Sequence, residues 1–206
     1  MNNSTKNLIL ILMFILPSVA FSQRNGSKVM DFNNIDYRLL DSLIVVEINV
    51  VRDSLGNSNM HYSRVISDNI SKPRCQKLHS EQKVYHPDGI LKLYTDKVES
   101  SILKESSSTY KFNGGVSVVD GYEICLFKRQ STKFITYGDY AKSIVDLWET
   151  SRDHCHVVRD AYKKQFTENG KETFLMSGVS TKYGIYNGIN GFYTVLNLTV
   201  IYKRNI

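Results

Sequence analysis

The stretch "TFLMSGVSTKYGIYNGINGFYTVLNLTVIYK", residues 173–203, constrains the fold more than any other part of the chain. Two runs rich in β-branched and aromatic residues surround a turn carrying Asn187-Gly188 and Asn190-Gly191. Asn-Gly pairs supply the positive φ angles that tight hairpins need, so an antiparallel hairpin is predicted here. A second strand region, "STYKFNGGVSVVDGYEICLFKR", alternates polar and apolar residues around Gly114-Gly115.

Upstream, the periodicity changes from two to about 3.6. In "NNIDYRLLDSLIVVEINVVRDSLG" the residues Leu40, Leu43, Ile44, Ile48 and Val51 recur at three- and four-residue steps and make one apolar face. Asn34 or Asp36 can cap this helix and Gly56 can stop it. A second helix fits "SRVISDNISKPRCQKLHSEQKV", with Ser63 as its cap and Pro73 either kinking it or opening its second half. A third fits "GDYAKSIVDLWETS", with Asp139 as the cap and Ala141, Ile144, Val145 and Trp148 along one side. The order helix, helix, strand region, helix, hairpin implies an α+β fold with an antiparallel sheet rather than alternating βα units.

The N-terminus reads differently. One positive charge, Lys6, precedes an apolar run from Leu8 to Leu16, broken by Pro17 and followed by Ala20-Phe21-Ser22. The run is about half of what a bilayer span needs. Residues 1–22 are expected to be a secretory signal peptide, 23–35 a lead-in, and 36–206 a single domain. Loss of Lys6 lowers the formal charge from +6 to +5. The cations are scattered as Lys72/Arg74/Lys77, Lys128/Arg129, Lys163/Lys164 and Lys203/Arg204. Such scattering argues against a nucleic-acid partner and suits weak attachment to an anionic surface. The expected location is secreted, extracellular or periplasmic, with no transmembrane segment after the signal is removed. Cys75, Cys125 and Cys155 match no zinc module by spacing.

"WETSRDHCHVV", residues 148–158, concentrates the chemistry: two histidines and a cysteine follow the single tryptophan. On a regular helix Trp148 and Ser151 share a face, while His154 is rotated roughly 60° further. The helix is therefore expected to end near Ser151–Arg152, with a bend that swings His154 toward a shared cleft. Trp148 is expected in the core. His61 is expected at the surface and His79 on its helix, and His154 and His156 chelate only if their segment is extended.

Several fragments together resemble the CAP superfamily (the sperm-coating-protein or pathogenesis-related-1 type), in its bacterial secreted branch. They are "LDSLIVVEINVVRDSLG", "CQKLHSEQ" followed by "VYH", the glutamate of "YEIC", "AKSIVDLWETSRDH" and a closing "SGVS…GFYTVLNLT". The resemblance spans residues 36–200, and its most specific piece is Trp148, Ser151 and His154. It implies an α-β-α sandwich with a central, mostly antiparallel sheet. It also implies a cleft lined by His86, Glu123, Ser151 and His154, with Ser151 standing where the family has its second acid. Tyr122, Ile124 and Asp153 depart from the family pattern.

Given that cleft, His86 and His154 supply two zinc ligands, and Glu123 is either a third or an orienting partner for one imidazole. Cys125 and Cys155 each lie within two residues of a cleft member, so a Cys125–Cys155 disulfide is expected. Three functions stay open. The first is a secreted, non-catalytic cleft that binds a divalent metal or a small lipid- or sterol-like ligand in an extracellular interaction role. The second is a metal-dependent hydrolase or peptidase using Glu123 and His154 as base and acid. The third is a structural or adhesive surface module with a vestigial cleft. No Gly-x-Ser-x-Gly elbow is present to activate Ser151.

Overall fold

The computed structural model describes residues 26–87, 89, 93–111, 116–130, 135–159 and 172–203. The expected signal peptide and the Gly114-Gly115 pair lie outside that set.

Four strands form one sheet: β1 (Met60–Tyr62), β2 (Val116–Arg129), β3 (Glu172–Tyr186) and β4 (Ile189–Lys203). The terminal hairpin is its centre, since the strand order is β1-β3-β4-β2. Its two-residue turn is Asn187-Gly188, with φ of 50° and 76°, and Tyr186 faces Ile189 across it. That is the left-handed pair the Asn-Gly sequence favours. β2 runs antiparallel to β4, with a bulge between Val118 and Asp120. β1 runs parallel to β3, so the sheet is mixed. Three residues are too few to display a period, which is why β1 escapes a sequence pattern.

The helices are α1 (Tyr37–Ser54), α2 (Lys72–Glu81), α3 (Asp96–Tyr110), α4 (Tyr137–Thr150) and α5 (Cys155–Arg159). Between β1 and α2 the chain makes one α-turn, Arg64–Ile66, and a π-helical turn, Ser67–Ser71. Ser63 caps this run as expected, accepting from Ile66 N at 3.1 Å. Pro73 sits in the first turn of α2, directly after the π turn, and so opens the second half of the helical run.

Successive residues of a strand point to opposite faces, and β4 divides the core accordingly. Phe192, Leu196, Leu198 and Val200 pack with Leu40, Ile44 and Ile48 of α1, Ile144 and Trp148 of α4, and Val157 and Val158 of α5. Tyr193 and Val195 pack with Cys75 and Leu78 of α2. Ile201 packs with Ile102 of α3 and with Ile66 and Ile70. The sheet therefore lies between two helical layers, giving the expected α+β, α-β-α arrangement.

Two expectations need correction. The helix α3 was not anticipated: its serine-rich second half reads as the start of a strand region. Ile102 and Ser106 are its buried positions, too sparse a stripe to stand out. The cap of α4 is Thr136, not Asp139. Asp139 N donates to Thr136 Oγ1 at 3.1 Å, and the Thr136 hydroxyl donates to Asp139 Oδ2 at 2.7 Å. Asp139 is the third residue of the helix, and its carboxylate accepts from the capping hydroxyl.

Candidate functional site

β2 is an edge strand, and its residues Glu123 and Cys125 share the face covered by α2. The Glu123 side chain is only 2 % exposed. A carboxylate so placed needs partners, because an unpaired buried charge costs several kcal/mol. Arg74 of α2 supplies them: its Nε donates to Glu123 Oε1 at 3.1 Å and Oε2 at 3.2 Å. Asn197, opposite Glu123 on β4, donates from Nδ2 to Oε2 at 3.3 Å.

The same guanidinium steers the chain that follows α2. Gln82 ends the helix in the left-handed region at φ 49°, and Lys83 N closes back on Leu78 O at 3.1 Å. Arg74 Nη2 then donates to the Tyr85 carbonyl, and its charge lies 4.5 Å from the centre of the Tyr85 ring. His86 is thereby delivered above Glu123. Its Nδ1 is 3.7 Å from Glu123 Oε1 and 3.9 Å from Cys125 Sγ. These are charge and dipole contacts, too long for strong hydrogen bonds.

His154 arrives from the opposite helical layer. α4 ends at Thr150, and Ser151 adopts an extended backbone with φ −81° and ψ 122°. The Ser151 carbonyl accepts from His154 N at 3.2 Å and Cys155 N at 2.9 Å, closing the tight turn into α5. Trp148, fully buried, anchors the helix end. The outcome is the predicted bend, and it carries the His154 ring around the sheet edge. His154 Nε2 stands 3.5 Å from His86 Nε2, with the rings nearly edge to face at a centroid separation of 5.6 Å.

The two imidazoles are pushed in opposite directions. The Cys125 sulfur and then the Glu123 carboxylate raise His86, against the opposing effect of partial burial. Burial lowers His154, and the neighbouring His86 lowers it further. A protonated His86 donating from Nε2 to a neutral His154 satisfies both tendencies. The pair is half open: the His86 side chain is 49 % exposed, so a ligand reaches Nε2 without rearranging the core.

Three of the four expected cleft residues thus meet. Ser151 joins them through its main chain, which makes the turn. The chelating alternative with His156 is not realised, because His156 lies on α5 against the Tyr122 ring at 6.3 Å. His79 packs edge-on against Tyr193, and His61 lies exposed beside Tyr110.

The expected Cys125–Cys155 disulfide does not form, and all three thiols are free. Cys125 faces the α2 layer, with Sγ donating to the Tyr85 carbonyl at 3.6 Å. Cys155 opens α5 in the other layer, with Sγ 3.5 Å from the Arg152 carbonyl. Nearness in sequence to two facing histidines did not make the sulfurs face each other. Three contributors escaped the sequence: Arg74, Asn197 and Cys125 as a neighbour of His86. The two-residue spacing of Glu123 and Cys125 on a strand was the signal available for the last. Together His86, Glu123 and Cys125 place one donor atom each within 4.8 Å of one another, a spacing that can hold a metal ion.

No family model and no curated protein matches the chain. Among solved structures it is similar to an outer surface protein from Borrelia burgdorferi, at 13 % identity and a TM-score of 0.42, over 80 % of this chain and 92 % of that one. A likeness at this level fixes neither family nor function. No helix among the described residues is long and apolar enough to cross a membrane.

Proposed function

We propose that the chain is an exported CAP-type domain whose His86–His154 pair binds a divalent metal ion, with zinc as the best chemical fit. The observation that supports this is the 3.5 Å separation of the two Nε2 atoms. Two nitrogens at about 2.0–2.1 Å from a tetrahedral ion stand roughly 3.3–3.4 Å apart. The pair is therefore near the bite of a chelate, with the remaining positions of the ion open to water or a ligand.

Glu123 serves this site from behind. Its carboxylate lies 3.7 Å from His86 Nδ1, where its charge favours a proton on that nitrogen and leaves Nε2 for the ion. Ser151 offers no charge to the ion. Binding must expel the proton from His86, so affinity rises with pH. The polar character of these side chains favours an ion over the lipid- or sterol-like ligand that the resemblance implies. The hydrolase alternative is weaker, because both Glu123 oxygens already accept from Arg74 and one also from Asn197. A carboxylate so engaged is poorly placed to take a proton from water.

Isothermal titration with zinc on the wild type, His86→Ala, His154→Ala and Cys125→Ser tests the reading. Each histidine variant is expected to weaken binding at least tenfold, and Cys125→Ser to leave it within a factor of about three. Equal heats in the wild type and both histidine variants would overturn it. Loss in Cys125→Ser but not in His154→Ala would also overturn the assignment, by moving the ion to the Nδ1 side of His86.

A further inference from the structure

A cavity of about 600 Å³ lies apart from the histidine pair and is lined by none of His86, Glu123, Cys125 and His154. It owes its existence to the shortness of β1. That strand pairs with β3 only over Leu175–Ser177, which leaves the rest of that β3 edge without a strand beside it among the described residues. Side chains take over the edge groups. The Ser67 hydroxyl donates to the Val179 carbonyl at 2.7 Å, and Tyr183 N donates to Tyr37 Oη at 3.4 Å. Between them Asp41 Oδ1 accepts from the Thr181 hydroxyl at 2.8 Å. The first turn of α1, the π turn, the start of α2 and β3 enclose the space that remains.

The charges of this cavity are unbalanced by depth. Asp41, at its floor, is 6 % exposed, and no lysine, arginine or histidine among the described residues forms an ion pair with it. Asp36 and Asp68 add two more acids at the exposed margin, and Asp36 is engaged as the cap of α1. The rim carries four cations, Arg38, Arg64, Lys72 and Lys182, none of them ion-paired within 4.0 Å among the described residues. A carboxyl left in this position without a counter-ion keeps its proton, and burial does raise Asp41 well above the usual carboxylate range. Tyr62 and Tyr37 line the walls. The volume falls in the range of roughly 300–1,000 Å³ typical of small-molecule sites.

We infer that this cavity binds a small zwitterion of the amino-acid class, with its ammonium on the Asp41 carboxylate and its carboxylate among Arg38, Arg64, Lys72 and Lys182. On binding, Asp41 gives up its proton to solvent and the ammonium becomes its counter-charge, while the anionic end meets the unpaired cations of the rim. Free amino acids and short peptides share this chemistry. The site is independent of the histidine pair, so its failure would leave the metal proposal untouched.

The test is titration of the protein with leucine and with the dipeptide Gly-Leu, each beside its N-acetylated and its C-amidated form. Nuclear magnetic resonance shifts of the Asp41, Tyr62 and Thr181 amides report the binding. At least one parent compound is expected to bind, N-acetylation to weaken it tenfold or more, and amidation to weaken it severalfold. Leucine binding alone indicates a free amino acid as the source, and Gly-Leu binding alone indicates a peptide. Asp41→Asn keeps an acceptor for Thr181 and removes the group that can ionise against an ammonium, so it is expected to fold with an unchanged or higher melting temperature and to lose binding. His86→Ala is expected to bind like the wild type. No shift with either parent compound, or equal affinity in Asp41→Asn or for the N-acetylated forms, would overturn the inference.

Discussion

At the scale of single residues, the opposed titration of His86 and His154 is the property most open to measurement. The folded value for His86 is raised, to about 10, above an unfolded value of roughly 6.5. Its contribution to stability is therefore complete below that unfolded value and is lost as the pH climbs through the folded one. His154 is shifted downward, so its contribution is present above the unfolded value and is lost as the pH falls. Urea unfolding of the wild type against His86→Gln is expected to show the wild type losing its advantage between about pH 7 and 10. Solvent screens this half-exposed ring, so the difference should be about 1 kcal/mol or less. Identical pH slopes in the two proteins would refute the assignment. The turn that carries His154 was legible from the spacing around Ser151, whereas His86 and Glu123 were singled out only through the resemblance. Arg74 was not, since one cation among several on a helix gives no hint that it alone turns inward to a carboxylate.

At the scale of elements, the π turn Ser67–Ser71 sets the rotation of α2. Its two end serines both bond to β3: Ser67 Oγ to the Val179 carbonyl and Ser71 Oγ to the Gly178 carbonyl at 2.8 Å. Gly178 is required there, because a Cβ would lie 2.3 Å from Ser67 N. A π turn holds one residue more than an α-turn needs, and each residue turns a helix by about 100°. Deleting the exposed Asn69 is expected to rotate α2 and pull Arg74 from Glu123, lowering stability by about 3 kcal/mol or more. Denaturant unfolding checks this, and a loss under about 1 kcal/mol would mean the helix absorbs the deletion elsewhere. The sequence placed this region in a helix with Ser63 and Pro73 in their correct roles. It could not reveal the extra residue, which depends on where β3 passes. α3 was hidden for a different reason: it buries few residues, so its apolar stripe is thin against its serines.

At the scale of the whole molecule, the hairpin read first in the sequence is also the structural centre, flanked by β2 on one side and β1 on the other. The α+β class followed from the order of periodicities. The parallel pairing of β1 did not, because pairing partners far apart in sequence leave no local trace. Every helical layer rests on β3 or β4. A chain ending after Tyr186 is expected to show no cooperative thermal transition and to bind a dye for exposed apolar surface. A sharp melt in that fragment would show that the helices hold together without β4. The order of synthesis then matters. A ribosome delivers all five helices before it delivers the two strands on which they rest. Until then α1 and α4 can cover each other but not the sheet surface that completes their core.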